Sequence, residues 1–370
     1  MFLPISSCLL VLASLFTSVA STDSVNPVPH IRSYFYVGAT YVPEQGSNAS
    51  IAHGQMYVEH LVPANVSQPL PLVLIHGKGM TGTNFLNTPD GRTGWADYFM
   101  SKGFELYIVD QPGRARSPWQ QTVDGPVLTF DTNFFESYFT ATEKFNLWPQ
   151  ASLHTQWPGN GTKGDQIFDN FYFSGVQSIS SDIETSQLML NAGPKLMDKI
   201  GPAIVMTHSQ SGQLGWIIAD ARPKLVKAVI ALEPSGPPFV NTLVGTGPGR
   251  PYGLTETPIA YSPPIANASE LRPVNASQGF NFTCYKQAEP ARKLANLAQV
   301  PVLMVTSEAS FHAVYDNCTA AYMKQGGVDI EHINLPEVGI HGNGHMMFME
   351  KNGLDIAENV IHKWLAAHFP

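Results

Sequence analysis

The strongest constraint on what this chain can fold into is an alternation: short apolar runs, each closed by Gly, Pro or a charged loop, give way after the second to longer stretches with helical spacing. Runs of that kind, separated by helices, are what a largely parallel sheet covered on both faces requires, because its strands are buried on both sides. The candidate strands are 33–42, 51–62, 70–75, 105–109, 203–206, 228–232, 301–306 and 329–335. The spacing therefore predicts an α/β fold with an eight-stranded, mostly parallel sheet flanked by helices. The closing helix is the clearest, since Leu354, Ala357, Val360, Ile361, Trp364 and Leu365 recur at spacings of three and four and form one apolar face.

Two stretches interrupt the pattern. One, about 117–180, is rich in Phe, Tyr and Trp; the other, about 234–282, is dense in Pro and Gly. Neither holds enough regular elements for a core of its own, so both are expected to be cap insertions in a single domain covering 21–370. A chain of 370 residues with 44% hydrophobic and 14% charged content can bury a sizeable core. Its net charge of -8 argues against a nucleic-acid partner.

The first twenty residues hold an apolar run from Leu9 to Phe16 followed by small residues at Ser18 and Ala20, which reads as a signal peptide, 1–20, cut after Ala20. No stretch approaches the roughly 20 apolar residues of a membrane span, so the expectation is a secreted, extracellular protein. Acceptor sequons at Asn48, Asn65, Asn160, Asn267, Asn275, Asn281 and Asn317 point to a glycoprotein. Loss of Cys8 with the leader leaves Cys284 and Cys318, either one disulfide of an oxidising compartment or two unrelated buried thiols.

The chemical signal is Thr207-His208-Ser209-Gln210-Ser211-Gly212, set between the apolar run Ile204-Val205-Met206 and a helical stretch. Strand, sharp turn and helix around a serine lift its Oγ clear of the backbone and aim a helix N-terminus at the reacting carbonyl. Thr207 and Ser211 stand where this motif usually has glycines, and a Ser-rich turn capping a helix is the plainer reading of the hexapeptide alone. His76-Gly77-Lys78-Gly79, after the strand Leu72-Val73-Leu74-Ile75, resembles the turn that supplies one oxyanion donor, here the Lys78 N–H; the Gln210 N–H would be the second.

A serine needs a base, which in this chain order comes last. His345 and His341 both qualify. His345 is preferred because Gly342-Asn343-Gly344 gives a turn before it and Met346 onward can pack beneath the sheet end. His76, His208 and His332 are read as structural. For the acid, chain order allows Glu233, ending the strand at 228–232, or Glu308, after the strand ending at Thr306. Pro234 disfavours helix at Glu233 and keeps that carboxylate at an extended strand end.

Taken together these motifs resemble the α/β-hydrolase superfamily and, more narrowly, a small group of secreted microbial esterases whose acid is a glutamate. The matching stretches are His76 to Gly82, Thr88 to Arg92 with Gly94-Trp95, Asp110 to Arg114 with Arg116-Ser117, Ser209 to Gly212, Glu233-Pro234, and His341 to Asn343 with His345 to Met347. The resemblance implies a triad of Ser209, Glu233 and His345, with oxyanion donors at Lys78 and Gln210. The expected activity is hydrolysis of a small carboxylic ester or lactone through an acyl-serine, with no metal or organic cofactor. The same constellation can serve a lyase, transferase or isomerase that tailors a metabolite, and a binding module on a dead hydrolase is the remote alternative. Phe134, Phe135, Tyr138, Phe139, Phe145, Trp148 and Trp157 suggest an apolar substrate wall, although such residues also pack a cap onto a core.

Overall fold

The computed structural model describes residues 26–370, so the expected signal peptide lies outside the described residues. Eight strands form one sheet: β1 (His30–Val37), β2 (Met56–Pro63), β3 (Leu72–Ile75), β4 (Leu106–Asp110), β5 (Ala203–His208), β6 (Val226–Leu232), β7 (Val302–Thr306) and β8 (Ile330–Asn334). Their order across the sheet is β1-β2-β4-β3-β5-β6-β7-β8. β2 runs antiparallel to both β1 and β4, and the remaining pairs are parallel.

The central strands are apolar throughout because each of their faces meets a different core. Leu72, Leu74, Ile108, Met206, Ile230 and Leu303 point to one side, where Trp95 and Phe99 of α1 (Trp95–Ser101) cover them. Val73, Ile75, Val109, Val205, Val229 and Met304 point to the other, under α2 (Asp182–Ile200) and α3 (Ser211–Ala221). α4 (Asp316–Gln325) leads into β8. The closing helix runs through Gly353–Ile356, a π turn Ala357–His362, and Lys363–His368. Its apolar face is the expected one except that Leu354 is only half-buried and Ile356 is fully buried.

The first two predicted strands run too long. Gly38 (φ +84°) separates β1 from a short strand Thr40–Pro43, and Gly54 (φ +72°) separates Ser50–His53 from β2; the two short pieces pair with each other outside the main sheet. A Cβ at Gly38 would stand 2.6 Å from the Cβ of Ala192, so glycine is what lets α2 approach the chain here.

The first interrupting segment carries short helices at Thr132–Phe135 and Gln166–Phe173 and a two-residue ladder, Val127–Leu128 with Ser178–Ile179. In the second, Val240–Asn241 pairs with Gly247–Pro248, and Pro273–Gln278 pairs with Thr283–Gln287. Every residue of Pro273–Gln278 is exposed, so that strand has no apolar alternation to reveal it. A disulfide joins Cys284 of the last hairpin to Cys318 of α4. All the sequon asparagines, Asn48, Asn65, Asn160, Asn267, Asn275, Asn281 and Asn317, are exposed. Among the described residues no helix is long and apolar enough to cross a membrane.

Candidate active site

β5 ends at His208 and α3 begins at Ser211, and the turn between them puts Ser209 in the left-handed region at φ +58°. A non-glycine residue there costs about 1–3 kcal/mol and persists only where its surroundings hold it. Here they do. The Ser209 N–H donates to the Leu232 carbonyl (3.0 Å), and the Ser209 carbonyl accepts from Gly212 N–H (2.9 Å) and Ser235 N–H (3.0 Å). Ser211 Oγ accepts from His208 N–H (2.8 Å) and can donate to the carbonyl of Ile75 (2.7 Å) or His208 (2.9 Å). The positions where close approach demands glycine are Gly212, whose Cβ would fall 2.2 Å from that of Pro234, and Gly215, where it would meet Thr207 Cγ2 at 2.8 Å. Thr207 and Ser211 are tolerated because the tight packing has moved along the helix.

Glu233 ends β6, is fully buried and is itself strained at φ +48°. Its Oε1 accepts from Ser307 N–H (2.8 Å); its Oε2 accepts from Ser310 Oγ (2.6 Å) and faces His345 Nδ1 at 2.5 Å. Burial and the nearby Asp316 charge push the Glu233 carboxyl up, against the pull of the serine donors. With Nδ1 turned to a carboxylate, the His345 proton belongs there and Nε2 is left as the acceptor. Burial, with the His208 and His312 imidazoles packed against the ring, holds His345 well below the ordinary histidine range. A neutral ring able to take a proton results. Neither Ser209 Oγ nor His345 Nε2 has a hydrogen-bond partner among the described residues.

The competing pair sits elsewhere. Glu308 Oε1 meets His341 Nδ1 at 3.0 Å, its Oε2 accepts the Gly342 N–H at 2.8 Å, and the His341 side chain is 62% exposed. The two residues that rivalled Glu233 and His345 in sequence thus bond to each other at the surface.

The backbone N–H groups of Lys78 and Gln210 donate to no acceptor among the described residues. Their side chains converge on one carboxylate: Asp182 Oδ1 accepts from Lys78 Nζ (2.8 Å) and from Gln210 Nε2 (2.7 Å). Buried Arg114 grips the carbonyls of Gly77 (3.1 Å) and Met80 (3.2 Å) from behind. A Cβ at Gly77 would be 3.0 Å from that of Ser209, which is why the turn after His76 needs a glycine. His76 is structural: its Nε2 accepts the Gln111 N–H (3.1 Å), and burial, aided by Arg114, lowers it to about 3. His208, lowered by burial to about 3, donates Nε2–H to the His345 carbonyl (3.0 Å). His332 faces Thr306 Oγ1 at 2.9 Å and takes no part.

The loop before His345 is anchored by Glu350, whose carboxylate accepts from Asn343 Nδ2 (2.8 Å) and Gly344 N–H (3.0 Å) and pairs with His154 Nε2 (2.6 Å). Arg92 donates to the carbonyls of Met349 (3.1 Å) and Glu350 (3.2 Å). Sequence reasoning missed Asp182, Glu350 and His154, whose partners lie elsewhere in the chain. It also missed His312, although the signal was local. His312 Nδ1 meets Asp316 Oδ1 at 2.9 Å across four residues, Tyr315 Oη lies 3.0 Å from Nε2, and the ring stacks on His345 at 4.8 Å. Among the described residues, Glu233, His312 and His345 are the group whose ligand atoms, within 4.8 Å of one another, could hold a metal; both oxygens of Glu233 and both nitrogens of His312 already have hydrogen-bond partners.

A cavity of about 120 Å³ opens over Ser209, Lys78 and Gln210. Phe134 and Phe139 line it, as do Phe130 and Phe311, which the sequence did not single out. Phe135, Trp148 and Trp157 pack into the core instead, Tyr138 donates to the Leu243 carbonyl, and Phe145 is exposed. A roomier cleft of about 460 Å³, between Thr83, Asp90 and Asn170, touches none of these groups.

A serine elbow after the fifth strand, an acid after the sixth and a histidine after the last define the class: this is the α/β-hydrolase fold. The chain belongs to the α/β-hydrolase superfamily. It is 48% identical over 338 residues, 90% of this chain and 89% of the relative, to a probable secreted lipase, phiG, of Fungal sp. (strain ATCC 74256). Its fold is similar to that of a novel bacterial esterase solved at atomic resolution, with a TM-score of 0.63 at 20% identity, covering 95% of this chain and 100% of the other. No protein-family model matches the sequence.

Proposed function

We propose that this chain is a secreted serine esterase acting on small carboxylic esters or lactones. Ser209 Oγ attacks the acyl carbon while His345 Nε2 takes its proton. The carbonyl oxygen becomes an oxyanion between the N–H groups of Lys78 and Gln210, and the alcohol leaves with the proton from His345. Water, deprotonated by the same ring, then releases the acid from the acyl-serine. Glu233 fixes the imidazole tautomer and stabilises the imidazolium.

The observation that carries this reading is the buried Glu233–His345 pair, whose imidazole packs on Phe139 and Phe311 of the cavity that holds the strained Ser209, with two backbone donors in the adjoining turns that meet no acceptor among the described residues. The two insertions act as the cap, since residues of both line the cavity. The name of the 48% identical relative supports ester chemistry and export, and the disulfide and exposed sequons agree with an oxidising, glycosylating route. The test is a fluorophosphonate probe read by intact mass, beside turnover of short 4-nitrophenyl esters. A single adduct on Ser209 and ester release are expected, both absent in Ser209→Ala. Label and turnover persisting in that variant would refute the assignment.

A further inference from the structure

Arg250 is a cation that the triad chemistry does not use. It follows the Gly247–Pro248 strand of the second insertion, is 5% exposed, and lines the same cavity as Ser209. Its Nε and Nη2 donate to the Pro237 carbonyl (3.1 and 2.8 Å), Nη2 also to the Val240 carbonyl, and Nη1 to Asn241 Oδ1 (2.9 Å). All these acceptors are neutral. Glu256 is spent on the Arg250 backbone N–H at 2.8 Å, and among the described residues no carboxylate oxygen lies within 4.0 Å of the guanidinium. Arg116, by contrast, has Glu59 and Asp110.

The other charged pair on the wall cancels, because Lys78 is bonded to Asp182. Arg250 therefore stands in the cavity wall without a close ion pair, Glu256 and Asp182 acting on its charge only from a distance, next to the apolar side chains of Phe130, Phe134, Phe139 and Val244. A guanidinium drawn out of water without a carboxylate in contact is costly, and carbonyl dipoles and distant acids compensate only in part. Its hydrogen bonds to Pro237, Val240 and Asn241 leave one Nη1–H undonated, and the acceptor that best meets both that N–H and the charge behind it is a carboxylate oxygen.

We propose that the substrates of this site are short esters carrying a carboxylate, which Arg250 binds while Ser209 meets the ester carbonyl. The inference rests on the serine-esterase reading and replaces a purely apolar substrate with one that is apolar along its stem and anionic at one end. The cavity, about 120 Å³, suits a stem of a few carbons.

The test compares kcat/KM within matched pairs: 4-nitrophenyl butyrate against mono-4-nitrophenyl succinate, the pentanoate against the monoglutarate, and phenyl acetate against 4-acetoxybenzoate. The first two pairs place the charge on the acyl side and the third on the alcohol side. The wild type should favour the anionic member of at least one pair by about tenfold or more, and Arg250→Gln should lower that ratio by about tenfold, with Arg250→Lys between them. A wild type that prefers the neutral member of every pair overturns the proposal. So does an Arg250→Gln variant that slows both members equally, as loss of a merely structural grip on Pro237 and Val240 would. Should Arg250→Gln fail to fold, inhibition of the wild type decides: competition by glutarate and not by glutaramide supports the site, and equal or no inhibition by both sinks it. Turnover of neutral esters without charge preference removes only this proposal, whereas no turnover and no labelling of Ser209 removes the esterase reading beneath it.

Discussion

Ser209 and Ser211 stand two residues apart and do opposite work. Ser209 Oγ is free of the protein, while Ser211 Oγ is absorbed in the backbone of the elbow. Ser209→Ala is expected to abolish ester turnover with stability unchanged. Ser211→Ala should keep most of the turnover but leave the buried His208 N–H unsatisfied, a loss of about 1–3 kcal/mol visible in urea unfolding. The reverse pattern would place the nucleophile at Ser211. The acid is tested the same way. Glu233→Gln should cut kcat by about 10⁴, as tautomer control is lost in a buried pair. Glu308→Gln touches the contacts with His341 and the Gly342 N–H, away from Glu233, and should retain most activity; a dead Glu308→Gln beside a working Glu233→Gln would return the acid to the strand ending at Thr306. The strand, sharp turn and helix around Ser209 were legible in sequence because an elbow is a local pattern. Glu233 and Glu308 were not separable by chain order, because the distinction lies in their surroundings: one carboxylate is fully buried against Ser307 and Ser310, the other is half-buried and faces the exposed His341 ring.

At the scale of elements, the inner strands could be read because burial on both faces makes them continuous apolar runs. The first two strands were read in place but too long, because Gly38 and Gly54 bend the chain within otherwise strand-like residues. Position 212 joins two elements directly, and Gly212→Ala drives a methyl into Pro234, so α3 and the Glu233 turn cannot both keep their places. That variant should lose both activity and cooperative thermal unfolding; wild-type rates in Gly212→Ala would show that the contact relaxes without harm. The loop carrying His345 has its own titration. Burial opposes the charge on His154, but the Glu350 carboxylate and the hydrogen bonds to Glu143 and Glu350 outweigh it and raise His154 from 6.5 to about 9. A raised histidine contributes stability that is complete below pH 6.5 and lost as the pH climbs through about 9. That contribution is on the order of 3 kcal/mol. The melting temperature should fall between pH 7 and pH 10, and His154→Gln should flatten the fall; equal slopes in both proteins would remove the pair from the account.

For the molecule as a whole, the residues proposed to react follow strands of the sheet and residues of both insertions line the cavity, and the segments around that cavity are fastened differently. The second insertion leads into the hairpin that Cys284–Cys318 ties to α4, across 34 residues of sequence. Closing such a loop stabilises by about 4 kcal/mol in the chain-entropy model. The double replacement Cys284→Ser, Cys318→Ser should lower the urea midpoint accordingly, and an unchanged midpoint would show that the hairpin docks without the bond. The segment around His345 is held by residues much earlier in the chain: Glu233 is 112 residues away, His154 reaches Glu350 across 196, and Arg92 reaches Met349 across 257. Those distances set an order of events during synthesis. The turns that hold Lys78, Ser209 and Gln210 precede His345 by more than a hundred residues, so the proposed base can meet the proposed nucleophile only after the segment around His345 has been translated and joined to Arg92. On this reading a nascent or truncated polypeptide holds a nucleophile that cannot fire, and esterase activity in the growing cell marks finished, fully folded molecules alone.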